Sequence, residues 1–279
     1  MSDNGDDEIM YGKQIICLGI VVLVVALAGC IQTPSENGES TDDSLSNVLQ
    51  KGILTVGSDV PYPPMEFLDE SGDIVGLDID IIKEIAYRLG VSCNITDYEW
   101  KDIFDAVQSG EIDIIISSIT ILPGREEEYN ILFSHAYVIS GQVVVTIASN
   151  DNITAPENLS GKKVGAQINT TSIEEAFTYT NDSLVFSYEN YEEHEDKGII
   201  YDLKNGTIDA VIMDYPVAVN IVQNDHSLKI ASDIFTEELF GIATKKGNNA
   251  LITEINDIIR DMLDDGTIDL FKSQYGYTL

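Results

Sequence analysis

Two short phrases occur twice in this chain, in the same order, and that repetition constrains the fold more than any single motif. Leu54-Thr55-Val56-Gly57-Ser58-Asp59 is echoed by Lys162-Lys163-Val164-Gly165-Ala166-Gln167. Gln108-Ser109-Gly110-Glu111-Ile112-Asp113-Ile114-Ile115-Ile116 is echoed by Lys204-Asn205-Gly206-Thr207-Ile208-Asp209-Ala210-Val211-Ile212. The second phrase has a definite physical content: a helix stopped by a glycine C-cap, then a strand apolar on both faces. Any alternation of strands and helices repeats such phrases, but the preserved order across both halves argues for two lobes of like topology.

Around the phrases, strand and helix signals alternate. Strands are predicted at 53–58, 91–98 and 112–117, and again at 163–166, 184–187 and 208–213. Helices are predicted at 79–89, 100–108, 196–204, from about Pro216, and from a cap at Ser172 with Glu175 in capping-box spacing. The pattern reads as an α/β fold of parallel sheets covered by helices. In such sheets ligands sit beyond the carboxyl ends of the strands. Here those ends carry Asp59 and Tyr62, Ser117-Ser118-Ile119-Thr120, Gln167 through Ser172, and Asp214. Two facing lobes would bring all four sets to one cleft.

Charge narrows the function. Acidic residues number 48 against 15 basic ones, a net charge of -33, and such a surface repels phosphate backbones and anionic headgroups. Nucleic-acid binding is therefore excluded as the expected role. Acidity of this degree also suits solubility in salt-rich surroundings. The apolar fraction of 44% is that of a folded protein, and the length suits two lobes of about 100–130 residues each. Cys17, Cys30 and Cys93 form no disulfide framework, and no Cys/His spacing resembles a zinc site. The acid runs Glu126-Glu127-Glu128 and Glu192-Glu193-His194-Glu195-Asp196 read as solvated faces rather than metal sites. No cofactor is expected.

Ahead of the folded part lies the apolar run Ile15 to Ala28, followed by Leu27-Ala28-Gly29-Cys30. The run has the length of a signal-peptide core and falls short of the roughly 20 residues of a membrane span. Small residues before a cysteine resemble a lipobox, in which the thiol of Cys30 is lipidated; the other reading is a retained membrane anchor. The acidic stretch from Ser2 to Glu8 is unlike a signal-peptide start, and Met10, followed by Lys13, is the better one. Residues 1–29 thus read as signal peptide and 30–44 as a lipidated cysteine with a polar tether.

From about Leu45 to Gln274 the chain resembles the extracytoplasmic solute-binding proteins, family 3, that serve ABC importers of polar amino acids. The resemblance rests on Val56-Gly57-Ser58-Asp59-Val60-Pro61-Tyr62-Pro63-Pro64, Val75-Gly76-Leu77-Asp78-Ile79-Asp80, and Ser117-Ser118-Ile119-Thr120 with Arg125 five further on. Leu159-Ser160-Gly161-Lys162-Lys163-Val164-Gly165, Asp209-Ala210-Val211 with Asp214, and Asp265-Gly266-Thr267 complete it. It implies a two-lobed periplasmic-binding-protein type II fold with two hinge strands. The first lobe would be 45–136 plus 241–279, the hinges 137–141 and 236–240, and the second lobe 142–235.

The resemblance also implies roles. Arg125 would fork onto a ligand α-carboxylate, and Asp214 would take the α-ammonium. Ser117, Ser118, Thr120, Thr170 and Thr171 would add hydroxyl or backbone contacts, the last two at a helix N-terminus. Tyr62 and Trp100 would sandwich the ligand side chain, and Asp59 would meet its far end. A carboxylate between two π-faces favours arginine, lysine or histidine. Glutamine comes next, donating to Asp59 and accepting from Gln167, which stands where certain glutamine binders have lysine. Some members have glycines where Asn169 and Thr171 stand, and a glycan on the sequon Asn169-Thr170-Thr171 would obstruct the cleft. The partners implied are a free amino acid, a permease with its ATPase, and the membrane through the lipid, with the chain a monomer.

Two other classes share this outline. A secreted dehydratase-type enzyme would need a positioned acid and base, yet His135, His194 and His226 fall in no site loop, leaving Asp59 or Glu174. A sensory module would be followed by a signalling domain. The expectation is a binding protein and not an enzyme.

Overall fold

The computed structural model describes residues 42–191 and 196–277. The leader, Cys30, most of the tether and the acid run Glu192 to Glu195 lie outside the described residues. Two sheets organise the rest. In the first, Ser92–Asp97, Ile53–Ser58 and Ile114–Thr120 run parallel, and Glu238–Lys245 lies antiparallel beside Ile114–Thr120. In the second, Val185–Tyr188, Val164–Gln167 and Ala210–Asp214 run parallel, with Gln142–Ile147 antiparallel beside Ala210–Asp214. A short outer strand, Ile131–Phe133 or Leu228–Ile230, completes each order. Along these orders the two sheets correspond strand for strand, and the first adds Val138–Ser140 beside Glu238–Lys245.

Both repeated phrases have a packing reason. A Cβ on Gly57 would lie 2.5 Å from Ile112 Cδ1, and one on Gly165 would lie 2.7 Å from Ile208 Cδ1. The glycine of the first phrase therefore makes room for the isoleucine of the second, once in each sheet. The aspartate after each isoleucine turns back onto the first phrase. Asp113 Oδ2 accepts from the Thr55 amide at 2.8 Å, and Asp209 Oδ2 accepts from the Lys163 amide at 2.8 Å. Thr244 and Thr146, from the antiparallel strands, donate to the carbonyls of those same aspartates. Gly110 and Gly206 end the preceding helices at φ +80° and +79°. The two sheets repeat at atomic detail, not in outline alone.

Three expectations are corrected. The sheets are mixed rather than wholly parallel, because each antiparallel strand is the chain arriving from the other sheet. Val138–Ser140 pairs in the first sheet, Gln142–Ile147 opens within the second, and Glu238–Lys245 brings the chain back. The strand expected at 112–117 runs Ile114–Thr120 instead. Ile112 and Asp113 are spent on Gly57 and Thr55, while Glu238–Lys245 pairs out to Thr120. The capping box also fails: the helix Thr171–Tyr179 has Thr170 at its N-cap, and Ser172 is buried inside its first turn.

Helices cover both faces of each sheet. Leu77–Leu89 and Asn249–Asp264 bury Ile81, Ile82, Ile85, Ile255 and Ile259 against Leu54, Val56 and Ile116. Trp100–Ser109 covers the opposite face with Ile103, Phe104 and Val107. Strands Ile114–Thr120 and Ala210–Asp214 are buried along their whole length, as strands with helices on both faces must be.

The glycine contact gives a stability prediction. Gly57→Ala forces its methyl into Ile112, an overpacking that typically costs about 1–3 kcal/mol, and should lower the melting temperature by several degrees. Ile112→Val removes the offending Cδ1, so in the double variant part of the loss should return. Strict additivity by calorimetry would break the assignment.

Candidate functional site

The carboxyl ends of the parallel strands in both sheets meet around one cavity. Every residue expected to touch ligand lines it: Asp59, Tyr62, Trp100, Ser117, Ser118, Thr120, Arg125, Gln167, Thr170, Thr171 and Asp214. On the outer side of Asp59 and Trp100 lies a separate surface pocket with Asp97, Glu99, Lys101 and Glu189 on its rim.

The cavity is shut by contacts between residues of the two sheets. Tyr62 Oη donates to Asp214 Oδ2 at 2.5 Å, Trp100 Nε1 to the Asn169 carbonyl at 3.0 Å, and Gln167 Nε2 to Asp59 Oδ2 at 3.3 Å. Asn169 holds φ +59° to turn that carbonyl outward, which asparagine tolerates better than most residues.

Arg125 enters from the short helix Pro123–Glu128 and is buried. One Nη1 proton goes to the Thr120 carbonyl at 3.0 Å, and the guanidinium carbon stands 5.8 Å from the Trp100 ring centroid. No described carboxylate lies within ion-pair distance of it, its helix neighbours Glu126 and Glu128 included; Glu126 instead accepts from the Phe133 amide. Burial lowers the Arg125 pKa, partly opposed by Tyr129, Glu174, Glu238 and Asp214. A buried cation without a counter-ion is costly and calls for an anion.

Asp214 is its complement. The residue starts the helix Tyr215–Asn224 without a side-chain capping bond. Its Oδ1 is buried and has no hydrogen-bond partner in the protein. Burial, then the charge of Glu238, pushes its pKa up to about 7, against the Tyr62 hydrogen bond and Arg125. Asp59 also rises to about 7, through burial and then Asp97, against its bond from Gln167.

The hydroxyls are arranged differently from the expectation. Thr120 Oγ1 donates to Glu238 at 2.6 Å, Ser117 Oγ to Glu66 at 2.7 Å, and Thr170 Oγ1 to the Gln167 carbonyl at 2.7 Å. Thr171 Oγ1 donates to Glu238 at 3.3 Å and accepts from Gln142 at 2.7 Å. A hydroxyl has one proton, so Thr120 presents acceptor lone pairs to the cavity. Ser118, at φ +48°, turns its amide onto Asp78 Oδ2 at 2.7 Å.

Sequence reasoning missed Glu66 and Tyr191, which also line the cavity, as does Ser172 from the expected Gln167-to-Ser172 set, and it missed Glu238 behind it. The Tyr191 ring packs 5.8 Å from that of Tyr62. Glu66 follows Pro63-Pro64-Met65 and carried no signal of its own; it and Asp78 lie side by side, buried. Burial raises both pKa values, and the charge of Asp78 pushes Glu66 further. One proton is shared, since adjacent buried carboxyls do not both ionise.

Residues 54–278 match the family model described as "Bacterial extracellular solute-binding proteins, family 3". The chain belongs to that family. It is a solute-binding protein, not an enzyme, and its place is outside the cytoplasm. Among its curated relatives, the L-cystine-binding protein TcyJ of Escherichia coli K12 is 29% identical, covering 91% of this chain and 92% of that one. The ABC transporter glutamine-binding protein GlnH of Bacillus subtilis 168 is 30% identical, covering 92% and 95%. A crystal structure of a mutant ArgBP from T. maritima superposes with TM-score 0.76 at 33% identity, covering 84% of this chain and all of that one. Such solved relatives are two-lobed, and this solute-binding protein shares their type II fold.

A pH dependence follows from the raised carboxyls. With pKa values near 7 for Asp59 and Asp214, the folded chain holds protons that the unfolded chain has released above about pH 4. Their contribution is full below about pH 4 and is lost as pH rises through about 7. The melting temperature of ligand-free protein should fall from about pH 5 to about pH 7.5, and Asp214→Asn should flatten the fall. A wild-type melting temperature rising across that window would contradict the assignment.

Proposed function

We propose that this protein captures a free amino acid with a cationic side chain (arginine, lysine or histidine) and delivers it to the permease and ATPase of an ABC importer. The observation that carries the reading is one cavity holding buried Arg125, with no ion pair among the described residues, and buried Asp214 with an unpartnered oxygen. That pair complements a zwitterion: guanidinium for α-carboxylate, carboxylate and the Thr120 lone pairs for α-ammonium. The charge left over favours a cation at the other end. Asp59 stands there beside Trp100, and the rim of the outer pocket carries Asp97, Glu99 and Glu189 against Lys101. Tyr62 and Trp100 supply the aromatic faces for that side chain. Relatives named for arginine and histidine binding agree with this choice.

Glutamine is the second reading, favoured by the Gln167–Asp59 contact. Gln167 spends its NH2 on Asp59 and on the Glu189 carbonyl at 2.9 Å, so a ligand amide would not accept from it as expected but would donate to its oxygen. The lobes take the bounds 45–136 plus 241–279 and 142–235, with hinges at 137–141 and 236–240, and the protein works as a monomer tethered by lipidated Cys30. Cys30→Ser should abolish lipid labelling and release the chain or leave its leader uncut; unchanged membrane retention at wild-type mature mass would favour an uncleaved anchor.

Titration calorimetry tests the ligand assignment. Arg125→Ala should weaken any amino acid by about 2–5 kcal/mol, from thirty-fold to several thousand-fold, as removing one partner of a buried charge pair does. Asp59→Asn should weaken arginine, lysine and histidine far more than glutamine, whose amide still finds an acceptor. Tight glutamate binding, or arginine binding indifferent to Asp59→Asn, would defeat the cationic reading, and preferred binding of glutamine or cystine would replace it.

A further inference from the structure

Glu238 contacts the cavity's hydroxyls from behind, and nothing in the ligand-binding roles accounts for it. It is the first residue of the strand Glu238–Lys245, at the point where the chain returns to the first sheet, and is 3% exposed. Its Oε2 accepts from Thr120 Oγ1 at 2.6 Å and from Thr171 Oγ1 at 3.3 Å. Its Oε1 accepts from Thr236 Oγ1 at 3.1 Å. Thr120 ends the central strand of the first sheet, while Thr171 begins the helix that covers the second. Thr236 in turn accepts from the Gln142 amide at 2.9 Å, and Gln142 Nε2 donates to Thr171 at 2.7 Å.

We infer that Glu238 is a positioning residue that latches the two lobes shut around ligand, by taking one hydroxyl proton from each of them on a single carboxylate oxygen. Three physical points carry this. An ionised carboxylate accepts and never donates, so it fixes the direction of every hydroxyl that meets it. Bonds to a charged acceptor are stronger than those between neutral groups. The acceptor sits where the two crossing segments pass, so Thr171 moves away from it if the second lobe swings out, whereas Thr120 stays. The same bond points the Thr120 lone pairs into the cavity, so closure and ligand alignment depend on one group.

The latch rests on the cleft being the ligand site, so its test has an arm that needs no ligand. In the full ligand-free chain, Glu238→Ala should raise deuterium uptake of the peptide 168–176, where Thr171 lies, while uptake in the strand Ile53–Ser58 stays put. With whichever of arginine, lysine, histidine, glutamine or cystine stabilises the wild type, Glu238→Ala should raise the dissociation rate by roughly ten- to a hundred-fold and leave association within about three-fold, as losing bonds to a buried charged acceptor does. Glu238→Gln keeps an oxygen for both threonines and should recover most of that. Thr171→Val alone should reproduce the faster dissociation and add little to Glu238→Ala. If Glu238→Ala does not fold, Thr171→Val and Glu238→Gln decide alone. Wild-type uptake and dissociation rates in Glu238→Ala and Thr171→Val, dissociation from Glu238→Gln as fast as from Thr171→Val, or full additivity of Glu238→Ala with Thr171→Val, would overturn the latch. Failure of every amino acid to bind would instead strike the proposed function, and the exchange arm would still judge the latch.

Discussion

An imbalance of buried charge governs this cleft. Arg125 is the one buried guanidinium among the described residues, and Asp59, Glu66 and Asp214 line the same cavity. Withdrawing ions from water costs several kcal/mol apiece unless a partner stands opposite. The chain manages the excess by protonation and by hydroxyls: Glu66 and Asp78 share a proton, Tyr62 bonds Asp214, and Thr120 with Thr171 bonds Glu238. None of these neutralises Arg125, and none reaches Asp214 Oδ1. The remaining demand is for an anion and a cation held at fixed separation, the pair that an amino-acid backbone carries.

Why those groups converge follows from the fold. Parallel strands bring their carboxyl ends to one edge, and a chain that builds the same sheet twice has two such edges to oppose. The glycine–isoleucine contacts make the repeat possible, since Ile112 and Ile208 reach over their neighbouring strands only where no Cβ intervenes. The aspartates that follow pin the register, and so decide where each strand ends and which residue first meets the cavity. A slip of one residue would turn Gln167 or Asp214 to the other face.

The lobes and the site loops were legible because their signals are local. Glycine before a strand, an apolar run and a polar strand end are each written within a few residues, and all eleven expected site residues reach the cavity. What escaped was set by partners distant in sequence. The Ile114–Thr120 strand runs past its apolar stretch because Glu238–Lys245 pairs with its end. Ser172 looked like a cap, but the backbone enters the helix at Thr170, whose hydroxyl turns to Gln167. Glu66 stands alone and Glu238 follows Glu237 in an acidic chain, and nothing near them in sequence sets them apart from solvated acids. Burial alone distinguishes them, and burial is a property of the assembled lobes.

The antiparallel strands give the fold its economy. Each is long enough to seal one sheet and begins at a crossing, so the segments that carry the chain between lobes are continuous with the sheets they join. Gln142 opens one such strand and Glu238 the other, and both side chains reach Thr171. The polar groups at the crossings are therefore satisfied by residues on which the ligand site also depends. Swinging the lobes apart would break the Thr171–Glu238 bond and re-expose Asp214 and Arg125 to water at the same time. Water stabilises the open cleft's charges, and a zwitterion in the closed cleft replaces that hydration, so charge complementarity and lobe closure are one equilibrium.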